Sequence, residues 1–247
     1  MSVIFCLDFG NTRLKCAVFT EGKLSTVLIL KDASVETLSQ VIDEYQPSGA
    51  ILSSVISHDP ALETLLQNRL QYFHKLTHTS KLPINSPVGK PETIGADRLA
   101  LCAAAVDLYP HQHSLAIGLG TCITYNYINP AHQFLGGGIS PGMHMRFRAM
   151  HEQTALLPMV KAEHNFPMIG YDTKTNMQSG VLLGMAKEID GIIDAYKEKF
   201  EDLKVLMTGG DMDFFAVHLK NEVLKDKDLM YQGLYAIYKA NLPADAL

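Results

Sequence analysis

A chain of 247 residues with 47% hydrophobic and 19% charged side chains is long enough to bury one large core or two smaller ones, in the balance of a globular protein. A formal net charge of -5 leaves no basic excess to neutralise phosphates, and the clearest positive pair, Arg146 with Arg148, is far too small, so nucleic acid is excluded as a major partner. No stretch nears the roughly 18 consecutive apolar residues of a membrane span, and Asp8 interrupts the one apolar run that could resemble a leader. Cys6, Cys16, Cys102 and Cys122 have no paired spacing and sit in apolar segments, which predicts reduced, buried thiols in a cytoplasmic protein.

In chain order, strands are expected at 4–7, 14–19 and 26–30, then a helix at 35–45 and a short strand at 50–53. Asp59 and Pro60 read as the N-cap and first residue of a second helix. Pro83, Pro87 and Pro91 make 80–93 an extended surface loop, after which an Ala- and Leu-rich helix is expected at 96–108. The second half repeats the opening, with strands at 115–117, 123–128 and 133–135, the glycines Gly136, Gly137 and Gly138, and a helix from Pro141 to Gln153. The longest helix is expected at 176–200, where Val181, Met185, Ile189, Ile193, Tyr196 and Phe200 recur at spacings of three and four. A buried strand at 205–207 runs into Thr208-Gly209-Gly210-Asp211, and a terminal helix carries Leu229, Leu234, Ile237 and Tyr238. Two strand-strand-strand-helix units predict a duplicated α/β fold, divided at 1–112 and 113–247, with ligands in an interdomain cleft outside the strand ends.

Two glycine turns carry the chemistry. DFGNTRLK (8–15) and GLGTCITY (118–125) each follow an apolar strand and precede another. Bare backbone N–H groups and a Thr hydroxyl at a strand end suit phosphate oxygens, an acid such as Asp8 can hold Mg²⁺ through water, and Lys15 adds a positive charge. Two such turns point to a nucleotide held between two related halves and to phosphoryl transfer. An ordinary hairpin is the competing account of the first turn, because Gly-Asn is a strong turn pair. Gly95-Ala96-Asp97-Arg98 opens a helix; a carboxylate to accept a hydroxyl proton beside a cation to fix the substrate suits phosphoryl transfer to an alcohol, while Asp97 also fits a helix first turn for dipole reasons alone. Gly120 and Thr121 can contact a phosphate, and the 208–211 turn is an equal match to a nucleotide contact or a plain helix start. His144 and His151 share a helix face without a third ligand, and no zinc is assigned.

Taken in order, DFGNTRLK, PETIGADRLA (91–100), GLGTCITY, GGGISPGM (136–143), TALLP (154–158), IGYDTKTNMQSG (169–180) and TGGD (208–211) resemble the type III pantothenate kinases of the acetate and sugar kinase/Hsc70/actin superfamily. The resemblance spans most of the chain. It implies a duplicated ribonuclease-H-like, actin-like ATPase fold, a homodimer, and transfer of the γ-phosphate of ATP to the hydroxyl of pantothenate at the start of coenzyme A synthesis. By position, Asp8, Phe9, Gly10, Asn11, Thr12, Arg13, Leu14 and Lys15 form the first ATP loop, with Asp8 nearest Mg²⁺, and Gly120 with Thr121 also contacts ATP. Gly95, Ala96, Asp97 and Arg98 contact pantothenate, Asp97 as proton acceptor and Arg98 on the substrate carboxylate, with Thr173 contributing from the neighbouring subunit. Three positions depart from the family. Gly118 replaces an Asp that helps bind a monovalent cation such as K⁺ or NH₄⁺, Asn126 replaces a second Asp, and no tyrosine stands in residues 84–90. The lost carboxylate implies a weakened or absent cation requirement and the missing tyrosine an altered substrate pocket; Gly118 and the missing tyrosine motivate a rival reading, a family member that has lost catalysis and binds a nucleotide or a partner in a regulatory role.

Overall fold

The computed structural model describes residues 2–87 and 89–243; Val88, within the stretch that lacks the expected tyrosine, lies outside the described residues. The chain forms two compact units, residues 1–108 with 228–247, and residues 109–227. The last helix, placed in the second half by sequence order, thus belongs to the first unit.

The first unit is built on a five-stranded sheet ordered β3-β2-β1-β4-β5, from β1 (Val3–Phe9), β2 (Leu14–Thr20), β3 (Lys23–Leu30), β4 (Gly49–Ser54) and β5 (Tyr72–Lys75). The first three strands pair antiparallel, and β4 and β5 run parallel to β1. Side chains alternate across a strand. Phe5, Leu7 and Phe9 enter a core with Leu38 and Ile42 of α1 (Val35–Tyr45) and Leu62 and Leu66 of α2 (Pro60–Arg69). Ile4 and Cys6 face the other way, onto Ala100 and Ala103 of α3 (Ala96–Leu108) and Leu234 and Ile237 of α8 (Leu229–Asn241). A sheet covered on both faces needs a continuous apolar run, which is why β1 reads Val-Ile-Phe-Cys-Leu before Asp8 breaks it.

The helices start where the sequence provides caps. Ser34 Oγ accepts from Thr37 N at 3.1 Å, and Asp59 Oδ1 accepts from Ala61 N at 2.8 Å with Pro60 in the first turn. Alanines in α3 let α8 pack closely: a Cβ on Gly233 would stand 1.9 Å from the Ala100 carbonyl oxygen.

The second unit repeats the plan. Its sheet is ordered β10-β9-β6-β7-β8, from β6 (Ser114–Leu119), β7 (Cys122–Ile128), β8 (Phe134–Pro141), β9 (Lys204–Thr208) and β10 (Leu224–Lys225). Again three strands pair antiparallel and two run parallel to the first of them. The fold is therefore a duplicated α/β fold of the ribonuclease-H-like kind. Leu115, Ile117, Ile123 and Tyr125 pack on Val181, Met185, Ile189 and Ile193.

Three elements differ from expectation. β8 continues through the glycines to Pro141, since as the outermost strand it needs no donor there; Gly137, at φ 149°, is held so close to Tyr125 that a Cβ would lie 2.0 Å from its carbonyl oxygen. Gly142, not Pro141, is then the N-cap of α4 (Met143–Glu152). The long helix is interrupted: α5 (Thr173–Gln178) leads through a π-helical turn at Ser179–Leu183 into α6 (Gly184–Lys199). It starts ahead of residue 176 because Asp172 Oδ1 accepts from Thr175 N at 2.7 Å while Thr175 Oγ1 accepts from Asp172 N at 3.1 Å. The short strands β5 and β10 had no clear signal in the sequence, being brief and partly polar.

Candidate active site

The hairpin between β1 and β2 closes with Phe9 opposite Leu14, and Gly10 N donates to Arg13 O at 3.2 Å. Asn11, Thr12 and Arg13 are exposed in the turn. Phe9 is 1% exposed and meets His58 edge-on at 5.8 Å, and Leu14 packs on the same core, so at the hairpin end only the backbone of these two is open to a ligand. Asp8 and Lys15 face each other across the ladder and share the opposite face, that of α3 and α8.

Onto this face α3 delivers the second group. The Gly95 carbonyl accepts from Arg98 N at 3.0 Å and Leu99 N at 3.2 Å, making Gly95 the residue that opens the helix. The Asp97 carboxylate folds back over it, so that a Cβ on Gly95 would stand 2.4 Å from Asp97 Oδ1. Burial pushes the Asp8 carboxyl up to about 6, while the Lys15 charge opposes the rise and the Asp97 charge adds to it. Lys15 and Asp97 therefore both act on Asp8 electrostatically, which brings two carboxylates and one ammonium to the carboxyl end of β1. Arg98 follows in the same helical turn, partly buried.

Sequence reasoning missed two residues here. Tyr231 of α8 is 3% exposed, lies 6.0 Å (ring centroid) from Lys15 Nζ, and has its hydroxyl pKa raised by burial and then by the Asp8 charge. No local signal marks it, because α8 lies more than 200 residues from Asp8 in sequence. Ser53 sits on β4 in register with Asp8, is 1% exposed, and its Oγ has no hydrogen-bond partner. A buried hydroxyl left unpaired costs about 1–3 kcal/mol. Next to Gly95 and Ala96 a cavity of about 320 Å³ is lined by Ser54, Val55, Leu76, Thr77, His78 and Leu99 among others.

The second unit carries the other glycine turn. Gly118 pairs with Thr124 where the first hairpin pairs Asp8 with Lys15, and Gly120 N donates to Cys122 O at 3.0 Å. Gly120 and Thr121 are exposed at its tip. Two further segments press on this turn. A Cβ on Gly142 would stand 2.3 Å from Gly120 O, and one on Gly209 (φ 110°) would stand 2.1 Å from Leu119 O. The 208–211 turn, with Asp211 raised by burial against the opposing influence of His144, is thus part of the same loop cluster. Asn126 donates from Nδ2 to Ala116 O at 3.0 Å and Thr124 Oγ1 at 3.3 Å, a use of the amide inside the sheet. Thr173 is exposed in the first turn of α5.

Among the described residues, no three His, Cys, Asp or Glu side chains are grouped to hold a metal. That arrangement still fits Mg²⁺, which is bound through one or two carboxylates, waters and substrate phosphates rather than in an all-protein cage. Asp8, on a face with an orphaned hydroxyl beside it, is a carboxylate placed to do so.

The profile of the family described as "Type III pantothenate kinase" matches residues 4–195. A type III pantothenate kinase of Christiangramia forsetii is 38% identical over 239 residues, covering 95% of this chain and 97% of its own. One from Bacteroides fragilis (strain YCH46) is 38% identical over 236 residues, with coverage of 95% and 97%. Among solved structures, a Baf family protein from Campylobacter jejuni superposes with a TM-score of 0.62 at 20% identity, over 96% of this chain and 98% of that one. The ethanolamine utilization protein EutJ from Carboxydothermus hydrogenoformans gives 0.50 at 12% identity, over 96% and 90%. These two likenesses speak for the fold.

Proposed function

We propose that this chain, which belongs to the type III pantothenate kinase family, transfers the γ-phosphate of ATP to the hydroxyl of pantothenate, giving 4′-phosphopantothenate for coenzyme A synthesis. The observation that carries the reading is the meeting of Asp8, Lys15 and Asp97 at the carboxyl end of β1. Phosphoryl transfer needs little covalent chemistry from the protein; it needs the phosphates held, their charge offset and the acceptor proton removed. The backbone of residues 10–13 and the Lys15 ammonium hold the phosphates, and Gly120 and Thr121 offer a second cradle. Bound at Asp8 through water, Mg²⁺ would offset charge on the transferring phosphoryl group. Asp97 takes the hydroxyl proton, and Arg98 pairs with the pantothenate carboxylate. The cavity beside Gly95 and Ala96 supports a seat for the rest of the acceptor.

Gly118 offers no carboxylate and the Asn126 amide is engaged within the sheet, which supports turnover with little need of K⁺ or NH₄⁺. A homodimer is supported by the exposed apolar side chains Leu156 (92%), Met168 (72%), Ile169 (77%) and Tyr171 (81%), which lead up to Thr173. The four free cysteines fit the reducing cytoplasm. No helix among the described residues is long and apolar enough to cross a membrane. The test is purified protein with ATP, Mg²⁺ and pantothenate, with and without K⁺ or NH₄⁺. Phosphopantothenate forming at a rate within about twofold in all salts is expected, and ATP binding without turnover would overturn the proposal.

A further inference from the structure

Ser53 is a buried polar group that the phosphoryl-transfer scheme leaves unused. It lies on β4, directly in register with Asp8 on the adjacent parallel strand, so its side chain shares Asp8's face of the sheet. Paired strands stand about 4.8 Å apart, which puts a Ser hydroxyl within reach of a carboxylate one strand away. Its Oγ is enclosed and has no partner, although a strand position filled for packing alone would take Ala or Val at no such penalty. A buried unsatisfied group in a folded protein calls for an explanation, and a partner gained in a liganded state is one that fits a strand end beside an ionisable side chain. The ionisable side chain beside it in register is Asp8. The second unit has the same placement, Thr208 in register with Gly118, a partner that carries no carboxylate.

We propose that Ser53 is a positioning residue for Asp8: in the complex with Mg²⁺ and ATP its hydroxyl donates a hydrogen bond to the Asp8 carboxylate and fixes the orientation in which that carboxylate meets the hydrated ion. The inference rests on the reading of Asp8 as the residue that holds Mg²⁺. Ser53 touches neither phosphate nor acceptor; it acts through Asp8.

The experiment measures ATP affinity by titration calorimetry, with and without Mg²⁺, for the parent, Ser53→Ala, Asp8→Asn and the double variant, together with the unliganded melting temperature of each. Ser53→Ala is expected to weaken Mg²⁺-dependent ATP binding about tenfold, the size of a hydrogen bond to a charged group, and to leave metal-free ATP binding unchanged. It is expected to melt no lower than the parent, because the hydroxyl it removes has no partner in the unliganded protein. In the Asp8→Asn background the same substitution should add no further loss, since its effect runs through the carboxylate. Parental Mg²⁺-dependent binding in Ser53→Ala, an equal loss with and without the metal, or a full further loss in the double variant would each overturn the proposal. If Asp8→Asn itself keeps full Mg²⁺-dependent binding, the assignment of Asp8 falls and this inference falls with it; if Asp8→Asn loses it and Ser53→Ala does not, the role of Ser53 alone is refuted.

Discussion

Replacing Asp8 by Asn should make the unliganded protein more stable while removing the Mg²⁺-dependent part of its response to ATP. The sign follows from proton linkage. Burial, helped by Asp97 and opposed by Lys15, raises the Asp8 carboxyl from the ordinary 3.8 to about 6. Below pH 4 the carboxyl is protonated whether the chain is folded or not, and it contributes nothing to the pH dependence. Between 4 and 6 the folded protein holds a proton that the unfolded chain has released, so stability falls as pH rises; above 6 the loss is complete. A gap of about 2 pH units, at about 1.4 kcal/mol for each, makes the full loss about 3 kcal/mol. Partial exposure and local relaxation reduce that to about 2–3 kcal/mol. For a protein of this size, about 2–4 °C accompanies each kcal/mol, so Asp8→Asn should melt about 5–10 °C higher at pH 7.5. Melting curves from pH 4 to 8, without nucleotide, should show parent and variant converging at the acid end and separating through pH 6. At one fixed concentration, MgATP should then raise the melting temperature of the parent more than ATP alone does, and add nothing over ATP alone in the variant. A variant that melts lower than the parent at neutral pH, or a difference that does not change with pH, would refute the reasoning, because Asp8 would then be contributing structure rather than being held in a costly ionised state.

Asp97→Asn should lower kcat by about 10²–10⁴, the usual worth of a positioned general base, with ATP affinity within about threefold of the parent; steady-state kinetics and calorimetry read both. Gly95→Ala forces the Asp97 carboxylate off its seat, because the new Cβ would stand 2.4 Å from Asp97 Oδ1; kcat should fall about tenfold or more while the melting temperature moves by no more than about 3 °C, since a side chain and not backbone must yield. Gly233→Ala is the opposite case. Its Cβ would meet the Ala100 backbone oxygen at 1.9 Å, so α3 and α8 must separate, and denaturant unfolding should show a loss of about 2–4 kcal/mol.

The sequence was most legible where local rules and tertiary demands agree. The apolar run of β1 ending at Asp8, the Asp59-Pro60 start of α2 and the alanine stretch of α3 each follow from one physical requirement, and the structure meets all three. It was least legible where a residue's surroundings come from distant chain. Tyr231 beside Lys15 and the enclosure of Ser53 depend on α8 returning to the first unit and on β4 pairing with β1, and no short-range pattern records either event. Some misses had a readable signal. Asp172-x-x-Thr175 is a capping box that begins α5 ahead of residue 176, and a glycine run on an outermost strand can extend β8 rather than end it. The π-helical turn at Ser179–Leu183 lies inside an unbroken amphipathic pattern, with Gly180 and Gly184 as the sole hint.

The two sheets share a register, which makes their chemical differences interpretable position by position. At the penultimate pair of the first hairpin stand Asp8 and Lys15, with Ser53 alongside; at the matching place in the second stand Gly118 and Thr124, with Thr208 alongside. One backbone plan thus carries ionisable side chains at these matched positions in one copy and uncharged residues in the other. Burying ionisable groups is costly in either copy; the first unit bears that cost at Asp8 on its hairpin ladder, the second at Asp211 in the turn after its parallel strand. The second turn compensates in backbone: Gly142 and Gly209 bring two more segments against Gly120 and Leu119, closer than any side chain would allow.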